Sequence, residues 1–114
     1  SIDIIMEEIL VDVSQRIGEY WREHLQRLAR KHAIIGDIRG RGLLQGIELV
    51  TDRNTREPAF DQGRAIGRVC LDNGLILSVR RRGSGFRFVP PFTTTEAQLD
   101  EAADILDHAI SEVA

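Results

Sequence analysis

Apolar positions along the first part of the chain recur every three to four residues: Ile2, Ile5, Ile9, Val13, Ile17, Tyr20 or Trp21, Leu25 and Leu28. That spacing lays one apolar stripe along an α-helix. Acidic residues crowd its start, and Arg27, Arg30 and Lys31 crowd its end, as the helix dipole favours. Gly18 interrupts the helix at some cost and is expected to permit close packing. After His32 the period changes. Ile34 to Gly42 predicts a short strand and a glycine turn, and Leu43 to Val50 a second strand. Thr51 to Thr55 has turn chemistry, ahead of Pro58. Asp61 to Asn73 predicts a second helix with Ala65, Ile66, Val69 and Cys70 inward, closed by Gly74 as a left-handed cap. Leu75 to Val79 predicts a strand, Arg80 to Gly85 a polar loop, and Phe86 to Val89 a short strand stopped by Pro90 and Pro91. Thr95 and Gln98 form a capping box for a last helix whose stripe is Leu99, Ala102, Ala103, Leu106, Ile110 and Val113. The order helix-strand-strand-helix-strand-strand-helix predicts an α+β fold. Its small sheet would have three to four strands, with helices mainly on one face.

Composition narrows the function classes. The 114 residues suit one domain, and a chain of this size buries roughly two thirds of its unfolded surface. No apolar run approaches the ~20 residues that span a bilayer. Ser1 to Glu8 mixes Ile with Asp and Glu and lacks the pattern of a secretory signal. A net charge of −3 argues against a general nucleic-acid binder. The single cysteine, Cys70, leaves no partner for an internal disulfide or a multi-cysteine zinc site, so a reducing, cytoplasmic setting is expected. Opening on Ser1, directly into helical periodicity, is expected of a piece of a longer polypeptide. Lys31 is the only lysine among fifteen basic residues, so covalent chemistry on a carbonyl within this chain would have to use it.

Two segments could carry chemistry. In Gly36-Asp37-Ile38-Arg39-Gly40-Arg41-Gly42-Leu43, alternating glycines permit positive φ and close backbone approach. The segment is not a phosphate loop, because it lacks the Gly-Lys-Ser/Thr ending and opens no helix. Two readings stay open: a tight connection between strands with solvated arginines, or a site-lining segment of Arg39, Gly40, Arg41 and Gly42. In the second segment, Arg80 to Phe88, the first three arginines fall in the expected loop, with Arg81 a further site-lining candidate. Arg87 differs. Between Phe86 and Phe88 on a strand, it points to the face opposite both rings. Its planar fork suits bidentate capture of a carboxylate, and a structural salt bridge is the equal alternative. His24, His32 and His108 show no metal-ligand spacing, and Cys70 is expected to be an inert core residue. No nucleophile-base pair or carboxylate dyad has workable spacing, so neither a catalytic residue nor a metal site is expected in this chain.

Together these segments bear a likeness. Gly36 to Val50 resembles the stretch that opens the small-domain sheet of class III aminotransferases, of the fold-type I class, and Thr51 to Pro58 is similar to the loop that follows it there. Asn73 to Leu77, Phe86 to Phe92 and the Thr95 helix resemble that domain's later strands and last helix, so the likeness runs over essentially the whole chain, in order. Within the family, Gly36 to Pro58 looks most like 2,2-dialkylglycine decarboxylase. The resemblance implies that residues 1–114 are a C-terminal small domain. A large domain outside them would hold pyridoxal phosphate and its lysine, and the enzyme would be a homodimer acting on a small amino acid or amine and a 2-oxo acid. It also implies that Arg87, on the strand before the Pro-Pro pair, binds a substrate carboxylate, and it gives Lys31 no cofactor role. The other reading is a stand-alone α+β module whose arginine loop takes a small anionic effector.

Overall fold

The computed structural model describes residues 2–42, 44–88, 90 and 94–114, and before Asp12 only the side chain of Glu8. The predicted stripe on the first helix becomes α1, Ile2–Lys31, in which Trp21, Leu25 and Leu28 are buried. Ile2, Ile5 and Ile9 lie outside the described side chains. Two strands follow, β1 (Ile35–Arg41) and β2 (Leu44–Asp52), paired antiparallel with Arg39 opposite Gly46 and Ile38 opposite Ile47. Then come β3 (Glu57–Pro58), α2 (Phe60–Asp72), β4 (Ser78–Arg80), β5 (Gly85–Phe88) and α3 (Glu96–Val113). The sheet order is β1-β2-β5-β4, with β3 on β2 and every pairing antiparallel.

Alternation along the strands sorts the sheet into two faces. Ile47 and Leu49 of β2 and Phe86 of β5 are buried against the helices, in one core with Trp21, Ile66, Cys70, Leu99, Leu106 and Ile110. Trp21 meets Phe88 at a centroid distance of 4.9 Å. Leu44, Arg39 and Arg87 stand exposed on the other face, which no helix of the described residues covers. The α+β architecture, with its helices on one face of a small sheet, is therefore as expected.

Local differences have identifiable causes. The sheet has five strands and not three to four, because Val50 and Asp52 also pair with the two-residue β3. Leu75 is not in a strand. The N–H of Gly74 (φ +90°) donates to Leu71 and that of Leu75 to Cys70, so the chain is still closing α2 in a Schellman motif. β4 starts only at Ser78, opposite Arg87, and it takes in Arg80, which was expected in a loop. Ala65 faces solvent because α2 buries Gly63, Ile66 and Cys70, a face that Ala65 does not share. The capping box is present, with Thr95 Oγ1 accepting from the Gln98 N–H and Gln98 Oε1 accepting from the Thr95 N–H. Val89, Pro91 and Phe92 lie outside the described residues.

Candidate functional site

The open face of the sheet carries a shallow cavity of about 160 Å³ lined by four arginines, Arg39, Arg80, Arg81 and Arg87, and one carboxylate, Glu48. Each arrives by a different local device. Arg87 sits on β5, an interior strand hydrogen-bonded to β2 on one side and β4 on the other. The rings of Phe86 and Phe88 face the helices, so alternation brings Arg87 out on the cavity side. Opposite it is Gly46, where a Cβ would lie 2.7 Å from the Phe86 carbonyl oxygen. Backbone therefore forms the cavity floor beside Arg87. Arg39 comes from β1, directly across from that same Gly46.

Arg81 is aimed by a strained turn. Arg81 (φ 52°) and Arg82 (φ 59°) occupy the left-handed region without being glycine. Such residues cost roughly 1–3 kcal/mol each unless their surroundings impose the conformation. Here α2 does so. A Cβ at Gly63 would lie 1.7 Å from the Gly83 carbonyl oxygen, so glycine lets helix and turn touch. The Arg64 guanidinium donates to the Arg82 carbonyl at 2.5 Å, and Ser84 Oγ donates to the Arg81 carbonyl at 3.0 Å. The result is a hydrogen bond from Arg81 to the Glu48 carboxylate.

Glu48 is engaged twice, because Arg39 Nη1 also lies 3.2 Å from it. Arg39 further donates through Nε to Asp37 at 2.9 Å, and this bond holds the Asp37 carboxyl below the usual carboxylate range. Arg39 and Arg81 are thus committed to carboxylates of their own sheet. The side chains of Arg80 and Arg87 have no hydrogen bond or ion pair among the described residues, although their main chains pair in the sheet.

The remaining candidates divide. Gly40 lines the cavity, whereas Arg41 and Gly42 are not among its lining residues. Both glycines adopt positive φ, 117° and 54°, and shape the end of the β1–β2 hairpin. The hairpin is fastened to α1. Arg22 donates to the Gly40 carbonyl and to Gln45, and the buried Gln45 amide donates to the Gly42 carbonyl at 2.8 Å. Gly18 permits this approach, since a Cβ there would lie 2.0 Å from the Gly42 carbonyl oxygen. Sequence reasoning missed Arg80 and Glu48. The signal for both was strand register, which puts Arg80 across from Gly85 and Glu48 two positions along β2 from Gly46.

Comparison with known proteins decides the family. Residues 1–110 match the family described as aminotransferase class-III. The chain belongs to the class III aminotransferases. It is 35% identical over 112 residues to a leucine/methionine racemase of Thermococcus litoralis, covering 98% of this chain and 25% of that protein. It is 32% identical over 120 residues to a taurine–pyruvate aminotransferase of Rhodobacter capsulatus, covering all of this chain and 26% of the relative. An aminotransferase of Bacillus anthracis superposes with a TM-score of 0.88 at 30% identity, over 97% of this chain and 26% of that one. An omega transaminase of Pseudomonas jessenii, solved in complex with PMP, gives 0.84 at 30% identity over 97% and 24%. The chain thus spans about a quarter of the length of the relatives it matches. Its likeness to the solved transaminases extends over nearly all of its fold.

Class III relatives include pyridoxal-phosphate enzymes, and the residues present here do not form the covalent part of such a site. Lys31 lies in the helical layer, with Nζ 2.9 Å from Asp107 of α3. The cavity is lined by strand and turn residues and contains no lysine. The buried Cys70 thiol is pushed up to about 11 by desolvation and is no nucleophile. The described residues hold no group of three or more metal-ligating side chains, and none of their helices is long and apolar enough to cross a membrane. What the arrangement can do is bind an anion.

Proposed function

We propose that this chain is the small domain of a pyridoxal-phosphate-dependent transaminase, and that its open sheet face binds the acid group of the substrate through Arg87. The observation that carries the proposal is that Arg87 stands on an interior strand, at the cavity, with no carboxylate partner among the described residues. Pairing on both sides fixes the main chain from which the side chain springs, and the planar guanidinium presents two parallel N–H donors that suit a carboxylate. Its aim would orient a 2-oxo acid or amino acid toward the reacting centre, and closure of this face over that centre would exclude water. Bound pyridoxal phosphate would supply the electron sink for the carbanion chemistry.

The cofactor lysine, the large domain and a second subunit belong to the proposal as parts beyond these residues. So does a reducing, cytoplasmic setting, which suits the lone buried Cys70. The likeness of Gly36 to Pro58 to 2,2-dialkylglycine decarboxylase keeps decarboxylating transamination within it. Either reaction needs the acid group held.

The test is Arg87→Ala in the full-length protein. Losing a charge-assisted pair costs roughly 1.5–3 kcal/mol, or about 10- to 150-fold in kcat/KM. The loss should be at least about tenfold greater for an amino acid than for an amine without a carboxylate. Arg87→Lys should recover only part, because a point charge does not reproduce the fork. Equal losses on both substrates, or only a lower melting temperature, would make Arg87 a structural residue.

A further inference from the structure

Two guanidinium groups on the cavity lack carboxylates, and Arg87 accounts for one. We propose that Arg80 is a second acid-binding residue, and that the substrate received by this face carries two carboxylates. The inference rests on the reading of Arg87 given above. Among the described residues Glu48 is the sole carboxylate lining the cavity, and Arg39 and Arg81 already engage it. Within a chain of net charge −3, this cavity gathers four arginines against that one glutamate. The excess positive charge is therefore local to the open face.

The register places the two free groups together. Ser78 pairs with Arg87 and Arg80 with Gly85, so Arg80 and Arg87 are diagonal neighbours on the same face of β4 and β5. Such positions stand about 7–8 Å apart. Glycines keep the space beside them clear. Gly46 lies across from Arg87 and Gly85 across from Arg80, and a Cβ at Gly85 would come within 3.5 Å of the Arg80 Cβ. Arginines thus rise from the cavity over a floor that is partly bare backbone.

One carboxylate carries a single negative charge, so it neutralises only one of two guanidinium groups even where it accepts from both, as Glu48 does from Arg39 and Arg81. A monoacid on Arg87 would leave Arg80 as an uncompensated like charge next to the occupied site. A dicarboxylate of a few carbons offers one acid to each fork and neutralises both. Arg80 is then a specificity-determining residue: it selects a diacid over a monoacid and leaves the chemistry to others.

The experiment uses the full-length protein with Arg80→Gln, Arg80→Lys and Arg87→Gln. It compares kcat and KM for the glutamate/2-oxoglutarate pair with those for the alanine/pyruvate pair. Arg80→Gln should raise KM for the diacids about tenfold or more relative to the monoacids, with kcat changing far less, and Arg80→Lys should recover part of the loss. Parallel KM changes in both pairs, no change in either, or a loss confined to a sulfonate such as taurine would overturn the two-carboxylate assignment. Unfolding midpoints of the variants, measured alongside, separate a folding defect from a binding one. If Arg87→Gln is selective for acids and Arg80→Gln is not, only the second carboxylate fails. If Arg87→Gln shows no selectivity, or the wild-type protein transaminates no donor, the underlying reading fails and Arg80 falls with it.

Discussion

The seam between α1 and α3 and the open face of the sheet both carry charge, and they use it in opposite ways. On the seam, each carboxylate meets two polar partners from α1 or the residue that follows it. Asp107 accepts from Lys31 at 2.9 Å and meets His32 at 2.6 Å, while Asp100 accepts from Tyr20 at 2.5 Å and meets His24 at 2.7 Å. On the open face four arginines line a cavity with one glutamate, Arg39 also reaches Asp37 beside it, and two of the four find no side-chain partner among the described residues. A closed set of pairs fastens two helices and has no capacity left for a ligand. An unmatched set keeps its attraction for something that arrives from outside. Surplus charge on stiff backbone is thus a better pointer to binding than charge density alone.

The sharpest way to break the contrast is to damage the helical side and ask what survives. Trp21 is 1% exposed and packs on Phe88, immediately behind the strand that carries Arg87. Trp21→Ala should cost about 3–5 kcal/mol through lost burial and the cavity left behind. Urea unfolding of the 114-residue chain, followed by circular dichroism because this is the only tryptophan, checks it. A cost below about 1 kcal/mol would mean that the helical layer does not hold the sheet.

Much of this layering was legible in the sequence, because a helix or strand with one buried face writes its period into the chain. The stripe from Leu99 to Ile110 and the capping box at Thr95 needed no tertiary information. Arg87 was also legible, since Phe86 and Phe88 announce which face is buried. What the sequence hid depends on pairing between distant segments. Nothing near Arg80 says that β4 runs as far as that residue or that Gly85 lies across from it. Nothing near Gly63 says that it must admit the Gly83 carbonyl. Glu48 looked like any exposed strand residue until register brought two arginines to it. Ala65 was misplaced for a related reason: the period found the side of the helix that Ile66 and Cys70 bury, but it did not say how far round the helix burial extends.

A smaller effect is expected at a residue the turn pattern concealed. Arg53, in the turn after β2, donates to the carbonyls of Ala29, His32, Ala33 and Ile35, at 2.5–3.1 Å. It satisfies acceptors at the α1 C-terminus that the helix itself leaves open. Arg53→Ala should therefore destabilise by about 1–2 kcal/mol, the lower part of the range for charged donors because the side chain is exposed. Arg53→Lys should recover less than half, since an ammonium lacks the spread of the guanidinium. Thermal unfolding of the three proteins decides it. If alanine is neutral, water caps the helix equally well.

The smallest effect tests the matched seam directly through pH. Hydrogen bonds from Tyr20 and then His24 lower the Asp100 carboxyl below its ordinary range. For Asp107, burial opposes ionisation, but hydrogen bonds from His32 and Lys31 outweigh it and the net shift is also downward. A carboxyl with a depressed folded pKa binds protons less readily folded than unfolded. Its stabilisation is therefore fully present above the unfolded value, near 4, and is lost as pH falls through the folded one. The melting temperature of the chain should thus decline as the pH is lowered below about 4. Asp107→Asn should flatten that decline and lower stability at neutral pH by about 1 kcal/mol. Arg87→Gln should leave the slope as it is, because no carboxylate of the described residues pairs with that arginine. An unaltered acid slope in Asp107→Asn, or a flattened one in Arg87→Gln, would erase the distinction between the matched seam and the open face.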